Sequence, residues 1–406
     1  MTEKSARAGS PPLVARVLEL VAAGRASSRT ELAALLGAAP STISTAVGQL
    51  VERGLIAEQG TQSSTGGRPR KVLRLGSTDE FAVAADVGGR HARVGVVLPG
   101  GTLADATTVP FAVGEGPEVA LPLLADTLES LAEVRGRERL RGVGLSLPGP
   151  VDPATGTVTL PSRMPGWNEF PVTEWLEERF GLPAVSENDA NSMALGEHAV
   201  RPPEQRQSIT VKVGSAIGTG IIVDGRLYRG AAGVAGEITH VRIDAAGDKP
   251  CGCGNTGCLE TVASGATLVR ELSAARPEIR SLEDVVRLAN EADPEATGAV
   301  RRAGKYLGEV LAANVNFFNP DAVYLGGILS TLDPLVAAVR SQLYEGCHPL
   351  ATTHLVIERV SLGANAGLVG AGQAALQHAL ERTLATMSAA PPAAPIRATR
   401  ATRTAR

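Results

Sequence analysis

Residues 251–260, CGCGNTGCLE, place three of the chain's four cysteines within eight positions. Cys251, Cys253 and Cys258 supply three thiolates, and glycines at 252, 254 and 257 let the backbone fold tightly around an ion. A tetrahedral zinc site requires a fourth ligand. The nearest histidine is His240, eleven residues upstream in GEITH, which completes a Cys3His set. A redox pair is the alternative, and C-x-C is a poor spacing for a disulfide. Glu237 precedes His240 by three residues, so one helical turn projects both the same way. Glu260 closes the cysteine cluster. Alone, Glu237 reads as a surface residue; beside a metal and a second carboxylate it reads as a ligand contact.

A second group is SENDANS, residues 186–192, which follows a short apolar run and opens a helix. Asn188 can cap that helix. The competing reading has Asn188 and Asp189 bonding two sugar hydroxyls, with Asp189 able to take a proton from a hydroxyl attacking a phosphoryl group. Two glycine-rich stretches, DVGGRH (86–91) and VGSAIGTG (213–220), are candidate phosphate loops. They would use Asp86, Gly88 and Gly89 in the first, and Gly214, Gly218 and Gly220 in the second. Glycine lets successive N–H groups converge on an anion, but each stretch could equally be a plain hairpin turn.

The elements that position these groups fall into two units. In residues 11–76, LVARVLELV is an amphipathic helix, Thr30 can cap a second helix ELAALLG, and a third begins at Ser41. Ile43, Val47 and Leu50 share one face of this third helix. Ser41, Thr42, Ser44, Thr45 and Gln49 occupy the other side and its flanks. A strand from Leu55, a Gly-Gly hairpin and KVLRL complete a winged helix-turn-helix. The polar face suits base edges in the major groove, and Arg68, Arg70 and Lys71 of the wing suit phosphates or the minor groove. A three-helix protein-interaction module is the plainer alternative. Charge favours DNA: residues 1–75 carry a balance of +5 and the remainder −8.

Residues 80–380 read as α/β. FAVAAD, ARVGVVL and TLADATTVPF read as three strands, and SITVKVG with GIIVDGRLY as another pair. The Gly-rich turns at 88–89 and 214–220 each lie 11–12 residues before a hairpin glycine (Gly100, Gly225), a weak internal repeat that suggests two like lobes. Residues 388–406, rich in Ala, Pro, Thr and Arg, read as a disordered tail. No apolar run is long enough to span a membrane, and the polar N-terminus lacks a signal-peptide centre. The expectation is a cytoplasmic protein with no membrane partner.

Together these residues resemble the ROK family of repressors, open reading frames and sugar kinases. GIIVDGRLYRGAAGVAGEITHV followed by CGCGNTGCLE, with ENDAN and LPGPVD upstream, carries the resemblance. It implies an actin-like (ribonuclease H-like), two-lobed ATPase fold preceded by a winged helix-turn-helix. It also implies sugar binding by Asn188, Asp189, Glu237, His240 and Glu260, and structural zinc on His240, Cys251, Cys253 and Cys258. Asp189 matches the kinases' general base, and Asp86 begins their first phosphate loop. The chain departs from the kinases where Arg90 replaces a threonine and where Ala216 and Thr219 replace glycines, so ATP and Mg2+ are not expected. The implied function is a sugar-responsive transcriptional regulator, a repressor, released from operator DNA by a sugar or sugar phosphate and acting as a homodimer or homotetramer. The alternative is an ATP-dependent hexose kinase carrying a DNA-binding head.

Overall fold

The computed structural model describes residues 13–22, 26–62, 70–76, 79–161 and 164–389. The chain begins with α1 (Leu13–Ala22), α2 (Arg29–Leu36) and α3 (Pro40–Glu52), followed by the antiparallel pair β1 (Ile56–Gln62) and β2 (Arg70–Leu75). Val17 and Leu18 of α1 pack with Leu32, Ile43, Val47, Leu50 and Ile56 in one small apolar core. The α2 cap differs from the Thr30 expected from sequence: Thr30 lies in the first turn, and Ser28 is the cap. Ser28 has an extended backbone, so its Oγ can accept the Glu31 N–H at 3.3 Å. Glu31 reaches back to accept the Ser27 N–H at 2.7 Å. The two exchanges satisfy donors that a helix start otherwise leaves orphaned.

The body is built twice on one plan. Its first half runs β3 (Phe81–Val87), β4 (His91–Val97), β5 (Leu103–Pro110), α4 (Pro117–Arg135), β6 (Leu140–Leu147), α5 (Val172–Phe180), β7 (Ala184–Asn188) and α6 (Asp189–Val200). The second runs β8 (Ser208–Val213), β9 (Ile217–Val223), β10 (Arg226–Leu227), α7 (Glu260–Ala263), α8 (Gly265–Ser273), α9 (Leu282–Asn290), α10 (Pro294–Phe318), β11 (Ala322–Gly326), α11 (Asp333–Gly346), α12 (Pro349–Thr352), β12 (Val356–Arg359) and α13 (Ala366–Ala389). Strand order is β5-β4-β3-β6-β7 in one sheet and β10-β9-β8-β11-β12 in the other. In both, the first three strands in sequence are antiparallel and the last two join parallel to the first. The weak sequence repeat therefore corresponds to a real structural one. Each sheet has its own apolar core, around Phe81, Leu128, Leu145 and Trp167 in one lobe and Val211, Leu307, Leu325 and Leu335 in the other.

Helices α6 and α13 tie the lobes together, and glycine lets them come close. A Cβ at Gly218 or Gly220 of β9 would lie 2.8 or 2.6 Å from atoms of α6, and one at Gly370 of α13 would lie 1.7 Å from the Ser192 carbonyl. Helix α13 then leaves the body. Its Leu384 is buried in the core of the N-terminal unit, with Leu380 packed against it, while Arg382 pairs with Glu177 of α5 at 2.6 Å. Residues 388 and 389 end this helix; the rest of the tail expected at 388–406 lies outside the described residues.

Candidate functional site

The cysteine loop is held by strand-like pairing. Ile243 N–H donates to the Gly257 carbonyl, Leu259 N–H to Val241, and Gly257 N–H to Lys249, which brings residues 241–243 alongside 257–259. His240 and Cys258 therefore meet although eighteen residues separate them. The ligand atoms of His240, Cys251, Cys253 and Cys258 all lie within 4.8 Å of one another. Cys253 Sγ is 3.8 Å from Cys258 Sγ, and Cys251 Sγ is 3.6 Å from His240 Nδ1. A tetrahedron with metal–sulfur arms of about 2.3 Å has edges of about 3.8 Å, whereas a disulfide needs about 2.05 Å. The donor set fits a metal ion and does not form a disulfide. Burial and the neighbouring sulfurs push the Cys258 thiol up to about 12.

His240 joins this cluster to a group of carboxylates. Its Nδ1 faces Cys251, while its Nε2 lies 3.7 Å from Glu237 Oε2, too far for a hydrogen bond. Ile238–His240 form the single helical turn anticipated from the Glu237/His240 spacing. Partial burial pushes the Glu237 carboxyl up, and the charges of Asp189 and Glu260 add to it against the pull of His240. These carboxylates thus converge from α6, the 236–240 turn and α7. Glu260 accepts the Ile217 N–H at 3.2 Å and the Thr239 hydroxyl at 2.8 Å, which anchors the start of β9 to the cluster loop.

Asn188 fills its predicted capping role. Its Oδ1 accepts the N–H groups of Ala190 and Asn191, and its Nδ2 donates to the Gly149 carbonyl. Among the described residues its second Nδ2 hydrogen has no partner. Three residues that sequence reading passed over complete the wall. Glu187 is buried, accepts from Asn188 N–H and Asn191 Nδ2, and pairs with Arg229 at 2.6 Å. Lys212 pairs with Asp189 at 2.7 Å. Burial works against the Lys212 charge, but Asp189 and Asp86 outweigh it and hold the ammonium above the usual lysine range. The strand SITVKV alternates polar and apolar residues, and that pattern places Thr210 and Lys212 on the face opposite Ile209, Val211 and Val213. That alternation was the available signal for Lys212.

The two glycine-rich stretches differ from the paired loops expected. Gly88 and Gly89 do form a turn, with Gly88 N–H donating to the His91 carbonyl. Asp86 stands at its edge, accepting the Ser146 hydroxyl at 2.5 Å; burial pushes its carboxyl up against the pull of Lys212. In the second stretch only Gly214, Ser215 and Ala216 turn. Gly218 and Gly220 lie within β9, register-paired with Lys212 and Thr210, and their lack of Cβ answers to the approach of α6. The carbonyls of Gly214 and Ser215 accept the N–H groups of Gly265 and Ala266 at the start of α8.

On the N-terminal unit, Ser41, Thr42, Ser44, Thr45 and Gln49 are all exposed along α3 while Ile43, Val47 and Leu50 are buried. Ser41, Thr42, Thr45 and Gln49, with Leu13 and Val14, line a shallow hollow of about 360 Å³. Arg68 lies outside the described residues. Arg70 opens β2, the returning strand of the hairpin. Lys71 is paired with Glu58 at 2.5 Å, which itself holds Arg29 at 2.7 Å, so its charge is already compensated.

Comparison with known proteins places this arrangement. The ROK family model matches residues 82–378. The xylose repressor of Bacillus spizizenii is 29% identical over 360 residues, covering 87% of this chain and 92% of that protein. A glucokinase of Halalkalibacterium halodurans is also 29% identical, over 313 residues, covering 73% of this chain and 94% of its own length. Among solved structures, a ROK family transcriptional regulator, homologue of the E. coli MLC protein, superposes with a TM-score of 0.74 at 26% identity. It covers 92% of this chain and 97% of that one.

Proposed function

This chain belongs to the ROK family, and from that premise we propose that it is a sugar-responsive transcriptional regulator, a repressor whose operator binding is relieved by a sugar or sugar phosphate. The observation that carries this reading is the extent of the likeness. The repressor match covers 87% of the chain, more than the body alone supplies, whereas the glucokinase match covers 73%. In this reading residues 11–76 are the DNA-binding unit and residues 80–380 the sugar-binding body. The exposed polar face of α3 enters the major groove, and the β1–β2 hairpin, with Arg68 and Arg70, lies on the backbone. The operator is palindromic and the protein binds it as a homodimer or homotetramer.

Sugar lies in the cleft against Asn188, Asp189, Glu237, His240 and Glu260. Zinc, held by His240, Cys251, Cys253 and Cys258, fixes the imidazole so that its far edge faces the ligand; it has a positioning role there. A bound sugar favours one lobe arrangement over the other, and the difference reaches the N-terminal unit through α6, its glycine crossing with α13, and Leu384. Ligand acts only through such differential affinity. Asp189→Ala and Glu237→Ala should keep operator binding and lose the sugar response in a mobility-shift titration. Release of either variant at the wild-type sugar concentration would overturn the sensor assignment.

A further inference from the structure

Lys212 is a cation that the cleft carries permanently. It projects from the polar face of β8 toward the start of α6, where its ammonium lies 2.7 Å from Asp189 Oδ2, and Asp86 of the other lobe also feels its charge. Glu237, Glu260 and His91 also contribute charge to the Asp189–Asp86 neighbourhood. Asp189, at the start of α6, is the kind of carboxylate that a hard divalent cation takes in a phosphoryl-transfer site, with waters and phosphate oxygens completing its shell. Here that position is covered by an amine that cannot leave with a nucleotide. A metal ion arriving beside it would meet like charge in a partly buried space, where screening is weak.

We propose that Lys212 is a built-in substitute for the divalent cation of a phosphoryl-transfer site, so that the cleft is electrostatically complete without Mg2+ or nucleotide. Lys212 is then a specificity-determining residue: it neutralises Asp189 in place, turns that carboxylate from proton acceptor to ligand contact, and frees sugar binding from any nucleotide requirement. This consequence for sensing rests on the regulator reading above; the cation substitution is tested apart from it.

The test compares wild type, Lys212→Met and Lys212→Arg by thermal unfolding, with Mg2+ alone as the probe and NaCl matching ionic strength. Mg2+ is chosen because it seeks oxygen ligands and leaves the thiolate cluster alone. Wild type and Lys212→Arg should show no Mg2+-specific rise in Tm. Lys212→Met should melt lower without Mg2+ and recover in millimolar Mg2+. A wild type stabilised by Mg2+ as strongly as Lys212→Met would overturn the proposal, as would a folded Lys212→Met that ignores the ion. If Lys212→Met does not fold alone, refolding it with and without Mg2+ decides: recovery in Mg2+ only supports the substitution, and failure in both refutes it. Operator binding is measured on the same wild-type sample. Its absence would sink the regulator reading while the Mg2+ result stands.

Discussion

His240 serves two neighbourhoods with two nitrogens. Nδ1 belongs to the cysteine cluster, and Nε2 looks toward Glu237. Loss of one thiolate should therefore be felt on both sides. Cys253 is exposed and takes no part in the apolar core, so Cys253→Ser separates metal loss from core damage. We expect metal affinity to fall by more than the roughly 10–100-fold that losing an outer-shell partner costs. Sugar affinity should fall with it, as read by metal content and calorimetry on one preparation. Zinc must displace protons from the thiols, so occupancy should drop as pH falls, which a chelator titration at two pH values would register. Unchanged sugar affinity in a zinc-free protein would remove the metal from the sensor.

At the scale of elements, α13 is the part that connects. It lies on α6 through a contact that tolerates no side chain at Gly370, and it ends inside the core of the N-terminal unit at Leu384. Leu384→Ala removes that end contact while leaving Asn188, Asp189, Glu237, His240 and Glu260 untouched. Sugar affinity of the isolated protein should be unchanged, but the sugar's effect on operator affinity should shrink from the roughly 5–150-fold of typical coupling toward none. Full sugar release by Leu384→Ala would show that the signal travels another way. The capping of α2 by Ser28 rather than Thr30 belongs to this scale too. Both hydroxyls were visible in the sequence, and only the backbone conformation chose between them.

For the whole molecule, the question is whether the two-lobed body still transfers phosphate. Asp86 and Asp189 are present, but Lys212 compensates Asp189, and Ala216 and Thr219 depart from the glycines that the resemblance to the family's kinases led us to expect. We expect a coupled ADP-release assay across glucose, mannose, N-acetylglucosamine and xylose to stay far below the roughly 1–100 s⁻¹ usual for kinases. Turnover in that range would restore the kinase reading. Among the described residues no single helix is long and apolar enough to cross a membrane.

Local rules were enough to read the N-terminal helices and hairpin, the repeated sheet plan and the grouping of His240 with the three cysteines from the sequence. Helical and strand periodicity are written in adjacent residues, and Cys-Gly-Cys spacing constrains its own loop. Glu237 with His240, and Asn188 as a cap, were legible for the same reason. What only the tertiary structure decided is which distant groups face one another. Lys212 lies twenty-three residues from Asp189, Arg229 forty-two from Glu187, and Leu384 joins a core whose other members lie within residues 13–73. Gly218 and Gly220 looked like parts of a phosphate loop because glycine permits several close approaches, and the sequence does not say to what. In the fold they admit α6. Long-range charge pairing and backbone contact depend on how sheets and helices are stacked, and no local window carries that information.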